Sequence, residues 1–223
     1  MNYQGRIALF SNNEPFLDNR MNDFIVYSKK KVTGAFIYLF TNGTLITLEE
    51  FKKTIEYLDF ICIDLYFDNK DEIASFEMKK ILKYCIDENL CEKVMVQIIN
   101  RSAIRNNRGG NSKNRHAIYE PKAPCILPFT QMIVRPDGKL SLCCNDLFGN
   151  YTMGDLTKET LIEAWNNTNY HDMRLSIRKS RANVPYMCKR CDNYSTTNQN
   201  GNLIFTKKQI SDSWERVNTF LIN

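Results

Sequence analysis

The sequence predicts an α/β protein: a parallel βα sheet followed by a small α+β domain built around cysteines. Two observations predict the first part. Short apolar runs at 6–10, 35–40, 60–67 and 93–99 read as strands, and segments with helical spacing at 18–31, 48–58 and 72–88 lie between them. Strands that alternate with helices imply parallel βαβ units. The third observation is a change of character at Cys125, beyond which Cys143, Cys188 and Cys191 punctuate short elements joined by turns.

The strand runs are apolar nearly throughout, as expected of strands covered on both faces. The second helix carries its own start signal. Thr47 followed by Glu50 forms a capping box, in which each residue satisfies a free N–H of the other's end of the first turn. Residues 101–116 are polar, basic and rich in Gly and Asn, and read as a long loop. Residues 131–134 and 139–142 flank Arg135-Pro136-Asp137-Gly138, a hairpin signature, with Cys125 at the strand entry. Short helices are expected near 160–166 and 171–179, then a loop carrying Cys188 and Cys191, a polar stretch and a terminal helix near 208–221. These boundaries divide the chain into a βα domain over 1–120, a cysteine domain over 121–195 and a tail with a helix over 196–223.

Composition excludes several classes. The chain has 223 residues, 43% hydrophobic and 25% charged, with a formal net charge of +5. That charge is too mild and dispersed to predict nucleic-acid binding. No apolar run approaches the roughly 20 residues of a membrane helix, and the N-terminus lacks the layout of a signal peptide. A reducing cytoplasmic location is the expectation, so the eight cysteines read as thiols or metal ligands. Four of them, Cys125, Cys143, Cys188 and Cys191, suit either tetrahedral zinc or a 4Fe-4S cluster, and spacing does not choose. Cys144 is an alternative to Cys143, because neighbours on a strand face opposite ways. Cys62, Cys85 and Cys91 sit in apolar patterns and read as core.

Ligands of parallel sheets bind at the carboxyl ends of the strands. There the sequence places Asn12, Asn13 and Glu14, then Asn42 and Gly43, then Asp64 and Tyr66. Glu14 and the backbone at Asn12 and Asn13 offer acceptors for an ammonium group. The same residues also suit a helix entrance, and Asn42-Gly43 suits a tight turn. Arg108, beside Gly109 and Gly110, offers a cation for a carboxylate or ribose. The bland reading of each is a turn or a solvated loop.

Taken together these motifs carry a resemblance. Asn12-Asn13-Glu14-Pro15 resembles the Gly-Gly-Glu-Pro strand end of radical S-adenosylmethionine (radical SAM) enzymes, and Thr41-Asn42-Gly43 resembles their Thr-Asn-Gly strand end. Cys125-x-Leu127-Pro128, Asp137-Gly138, Ser141-Leu142-Cys143-Cys144-Asn145-Asp146, Gly154-Asp155-Leu156, Ala164-Trp165-Asn166 and Cys188-x-x-Cys191-Asp192 resemble the SPASM domain, which holds auxiliary clusters behind such enzymes. The resemblance implies a curtailed parallel βα partial barrel, radical-SAM-like with its first strand missing, then a SPASM-like domain. It also implies one auxiliary 4Fe-4S cluster at Cys125, Cys143, Cys188 and Cys191. Asn12, Asn13, Glu14, Asn42, Asp64 and Arg108 are then the candidates for contact with S-adenosylmethionine.

The family's radical-generating triad, C-x3-C-x2-C, does not occur in these 223 residues. The resemblance places it ahead of Met1. S-adenosylmethionine is therefore expected to bind only together with a preceding segment or a separate radical SAM partner, acting on a peptide or small molecule. The alternatives are an electron-transfer or substrate-binding module and a structural zinc protein.

Overall fold

The computed structural model describes residues 2–69, 73–103, 107–112, 125–179, 183–192 and 205–219. The chain divides into two compact units, Met1–Ala103 with Gln199–Asn223, and Ile104–Asn198. The first boundary thus falls earlier than the expected 120. The terminal helix is not a tail, because it belongs to the first unit.

In that unit, strands β1 (Arg6–Ala8), β2 (Phe36–Thr41), β3 (Phe60–Phe67) and β4 (Val94–Asn100) form one all-parallel sheet in sequence order. Helices α1 (Met21–Lys31), α2 (Leu48–Ile55) and α3 (Phe76–Asp87) make the crossovers. The capping box of α2 is present, with Thr47 Oγ1 accepting from Glu50 N. Ile37, Leu39, Ile61, Ile63, Val94 and Val96 are buried with Ile25, Phe51, Ile81 and Leu82 in a single core. The alternate positions of β2 are half-buried aromatics. Phe10 stacks on Phe40 at 4.6 Å, and Phe205 lies 5.9 Å from Phe40. The sheet is therefore less evenly covered than the apolar strand sequences predict.

β4 is an edge strand, and helix α8 (Lys207–Val217) covers it. Trp214 Nε1 donates to the carbonyls of Cys91 at 3.0 Å and Val94 at 2.7 Å, and Val96 N donates to Ser213 Oγ at 3.4 Å. An uncovered edge strand presents open backbone groups to other chains. The terminal helix meets that need, which its distance along the sequence conceals.

The second unit opens with a 3-10 turn, Arg108–Gly110, followed by α4 (Leu127–Thr130). A three-stranded antiparallel sheet comes next: β5 (Ile133–Val134), β6 (Lys139–Ser141) and β7 (Thr152–Asp155). Helices α5 (Leu161–Asn166), α6 (Thr168–Lys179) and α7 (Tyr186–Arg190) complete the unit. The hairpin forms as expected, with Gly138 at φ 77°, but β7 was not anticipated from sequence. Two placements differ from expectation. Cys125 precedes a helical turn rather than a strand, because Pro128 sits in that helix's first turn, where its missing N–H costs nothing. The Cys188–Cys191 segment is a helical turn rather than a loop, with Cys191 N donating to Cys188 O. A small core of Leu140, Leu142, Met153, Ala164 and Tyr170 holds these elements, and Cys188 packs against it. Among the described residues, no helix is long and apolar enough to cross a membrane.

Candidate metal centre and strand-end site

The strand-end site lies in the first unit and is organised by Glu14. Its carboxylate caps the 3-10 turn Pro15–Leu17, accepting from Phe16 N at 3.2 Å. It also accepts from Thr41 Oγ1 at 2.6 Å and from Asn42 N at 2.7 Å. The end of β1 is thereby tied to the end of β2. Three of the roughly four lone-pair directions of the carboxylate are occupied. Thr41 Oγ1 in turn accepts from Gly43 N at 3.1 Å. Gly43 holds φ 71°, and a Cβ there would lie 2.5 Å from Met78 Cε, so this turn requires glycine.

Of the residues expected at this site, Glu14 and Asn42 are brought together. Asn42 spends its side chain on its own turn, with Oδ1 accepting from Thr44 N at 2.9 Å and Thr44 Oγ1 at 2.6 Å. Asn13 Oδ1 accepts from Ser11 N at 3.0 Å. Asn12 is exposed at the same strand end. Asp64 lies on β3 in register with Gln97, and both contact buried Cys62: Gln97 Nε2 donates to its sulfur at 3.3 Å, and the thiol donates to Asp64 Oδ1 at 3.6 Å. Cys62, expected to be inert core, is buried but engages polar neighbours. Arg108 belongs to the second unit.

The cysteine centre lies in the second unit. Cys143 and Cys191 are buried, while Cys125, Cys144 and Cys188 are half-buried. Burial pushes the Cys143 thiol up, and the nearby Cys144, Cys188 and Cys191 push it further. Burial also raises Cys144, whose other neighbours include Gln131, Arg108 and Cys125. Cys144, Cys188 and Cys191 all lie near enough to Cys143 to act on its thiol, as Arg108 and Cys125 do on Cys144. Cys191 sulfur accepts from buried Asn145 Nδ2 at 3.7 Å.

The loops that carry these thiols are braced by buried side chains. Asp146 accepts from Asn150 N at 2.9 Å and Tyr151 N at 3.1 Å. Asn107 donates from Nδ2 to Arg190 O at 2.6 Å, and its backbone N–H donates to Asp192 Oδ1 at 2.7 Å. The 3-10 turn thereby docks on α7. Close packing requires its glycines, since a Cβ at Gly110 (φ 85°) would lie 3.1 Å from Arg190 Nε. Arg174 is turned inward, stacking on Trp165 at 3.9 Å and on Tyr170 at 4.5 Å.

Among the described residues, no group of three His, Cys, Asp or Glu is arranged at metal-holding distance. The donor set nevertheless fits a sulfur-ligated group. The five thiols are soft ligands, and buried donors without partners sit among the same elements: Tyr170 OH and Arg174 Nη2. Such donors suit a group with net negative charge. Thr41 and Asn145 were quoted from sequence only as members of motifs, and Asn107 and Tyr170 were given no role there.

Residues 125–192 match the SPASM family, described as an iron-sulfur cluster-binding domain. No curated protein sequence matches the chain. The structure is similar to that of BtrN in complex with AdoMet and 2-DOIA, with a TM-score of 0.71 and 20% identity over 86% of this chain and 74% of that one. It is also similar to BtrN in an open conformation, with a TM-score of 0.60 and 18% identity over 86% of this chain and 73% of that one. At this identity the likeness establishes the fold. The parallel βα sheet expected from sequence is the architecture found.

Proposed function

We propose that this chain is the C-terminal part of a radical SAM/SPASM iron-sulfur enzyme that modifies a peptide, protein or small molecule, and that it does not generate radicals by itself. The observation that carries the proposal is the pairing of two features in one chain. One is a SPASM match over all four predicted ligand cysteines. The other is a parallel sheet whose strand ends are organised by the Glu14 and Thr41-Asn42-Gly43 motifs.

In this reading Cys125, Cys143, Cys188 and Cys191 hold one auxiliary 4Fe-4S cluster. When bound, it supplies one-electron transfer or a coordination site for substrate. Asn145 donates to the Cys191 sulfur, and Asn107 and Asp146 hold the loops that present the thiols. At the strand ends, Glu14 acts first as a brace. With three donors already on its carboxylate, it fixes the Asn12–Asn13 backbone so that the carbonyls there meet the ammonium of S-adenosylmethionine. Asp64, which accepts from the Cys62 thiol, adds a carboxylate inside β3, three residues short of its end. Arg108 is the cation offered to a carboxylate or ribose, and its charge also favours thiolate at Cys144, against the larger effect of burial. Radical initiation needs the C-x3-C-x2-C triad, contributed by a segment ahead of residue 1 or by a separate chain.

Anaerobic reconstitution of residues 1–223 with iron and sulfide tests this. The expected product is brown, holds about four irons per chain and releases no 5′-deoxyadenosine from S-adenosylmethionine under strong reductant. Colourless protein with tightly bound zinc contradicts the cluster. Release of 5′-deoxyadenosine contradicts the division of labour.

A further inference from the structure

Two hydrogen-bond donors of the second unit are buried with no partner among the described residues: Tyr170 OH and Arg174 Nη2. Tyr170 is the more enclosed of the two residues, at 0% exposure. An unpartnered hydroxyl at a fully enclosed position is unfavourable, and phenylalanine would fill the same space without that cost. The hydroxyl therefore points to an acceptor that joins the protein after it folds.

The surroundings identify that acceptor. Tyr170 packs in the small core with Leu140 and Leu142, against which Cys188 also packs, and it lies close enough to Cys143 to feel that sulfur's charge. Its ring cannot swing away. Trp165 lies 5.5 Å from it on one side, the Arg174 guanidinium lies 4.5 Å away on another, and Tyr170 N donates to Asn167 Oδ1 at 3.0 Å. Arg174 is itself pinned, with Nε donating to Pro128 O at 2.9 Å and Nη1 to Trp165 O at 2.7 Å. A neutral thiol is a weak acceptor, whereas a metal-bound thiolate or inorganic sulfide is a good one.

We propose that the Tyr170 hydroxyl donates a hydrogen bond to a sulfur of the iron-sulfur centre on its Cys143–Cys188 side, with Arg174 as the positioning residue that holds the ring, and that this bond raises the reduction potential of the centre. The proposal rests on the iron-sulfur reading above. A donor aimed at sulfur stabilises the more negative, reduced state more than the oxidised one, so removing it lowers the potential.

The test compares the reconstituted full chain with Tyr170→Phe in a redox titration followed by electron paramagnetic resonance, with iron counted in both. Equal iron and a potential lower by about 59 mV, a tenfold fall in the ratio of reduced to oxidised centre at a fixed potential for one electron, is the expected result. The metal-free variant should melt no lower than metal-free wild type, because the hydroxyl has no partner there. Equal iron with an unchanged potential overturns the proposal and leaves the iron-sulfur reading intact. Wild type that takes up no iron overturns both. If Tyr170→Phe fails to load, electron–nuclear double resonance of reduced wild type in H2O and D2O decides. A coupled exchangeable proton supports the proposal, and the absence of one overturns it.

Discussion

Replacing Glu14 by alanine should destabilise the first unit far more than an ordinary surface substitution. The carboxylate accepts from Thr41 Oγ1 at 2.6 Å, Asn42 N at 2.7 Å and Phe16 N at 3.2 Å, all in part-buried surroundings. Hydrogen bonds to a charged group contribute about 1.5–3 kcal/mol each when buried. Counting the two short bonds and discounting for partial exposure gives a loss of about 2–4 kcal/mol for Glu14→Ala. Glu14→Gln keeps the shape and one carbonyl acceptor but turns an amide toward one of the donors, so about half of that loss is expected, about 1–2 kcal/mol. Urea unfolding in a Trp165→Phe background reads the first unit alone, because the other tryptophan, Trp214, lies in its core. In a double-mutant cycle with Thr41→Val, the coupling should be about 1 kcal/mol or more. If Glu14→Ala falls within about 0.5 kcal/mol of wild type, the range of an uninvolved surface site, the carboxylate does not brace the two strand ends.

Other consequences are open to measurement. Trp214→Phe removes the indole donor to the carbonyls of Cys91 and Val94. It should cost about 1–3 kcal/mol and speed hydrogen exchange along β4, both read without tryptophan fluorescence. Asn107→Ala unfastens the 3-10 turn from α7 by removing the bonds of its side chain to Arg190 O and Asp192 N. Reconstituted iron per chain should fall while the far-ultraviolet spectrum of the first unit is kept, and unchanged iron would show that the brace is irrelevant to the centre. Burial raises the Cys85 thiol from the usual 9.0 to about 12. Above pH 9 the unfolded chain loses that proton while the folded chain keeps it, so stability contributed below the unfolded value is lost as pH rises toward 12. Cys85→Ala should therefore show a shallower alkaline decline, by about 1.4 kcal/mol per pH unit. Identical slopes in the two proteins would exclude this thiol as the cause.

The sheet was legible because each of its strands is a short apolar run bounded by its own helix signals. The run at 60–67 matches β3 residue for residue. The Thr47–Glu50 box was legible for a similar reason, since a cap depends on residues three apart. What escaped depends on distant partners. β7 is four residues, Thr-Met-Gly-Asp, with no alternation to announce it, and it exists because β6 offers an edge. The role of α8 as an edge cover depends on Trp214 meeting carbonyls 120 and 123 residues away. At the cysteine centre the thiols were legible by type and spacing, but their supporting residues were not. Asn107 lies in a segment that reads as an open loop, and only its contacts with Arg190 and Asp192 make it structural. Tyr170 looks like any core aromatic until its hydroxyl is found enclosed and unpartnered. Glu14 was assigned a binding role because a strand-end carboxylate suits a cation. The structure adds that most of its acceptor capacity is spent within the protein.

The central claim is an iron-sulfur centre held by Cys125, Cys143, Cys188 and Cys191, and iron counting in single alanine variants tests it most directly. After anaerobic reconstitution, each of those four variants should lose visible absorption and most of its iron, whereas Cys144→Ala should retain both. Iron retained in Cys143→Ala and lost in Cys144→Ala would contradict the ligand set, and zinc bound in place of iron in the wild-type protein would contradict the centre itself.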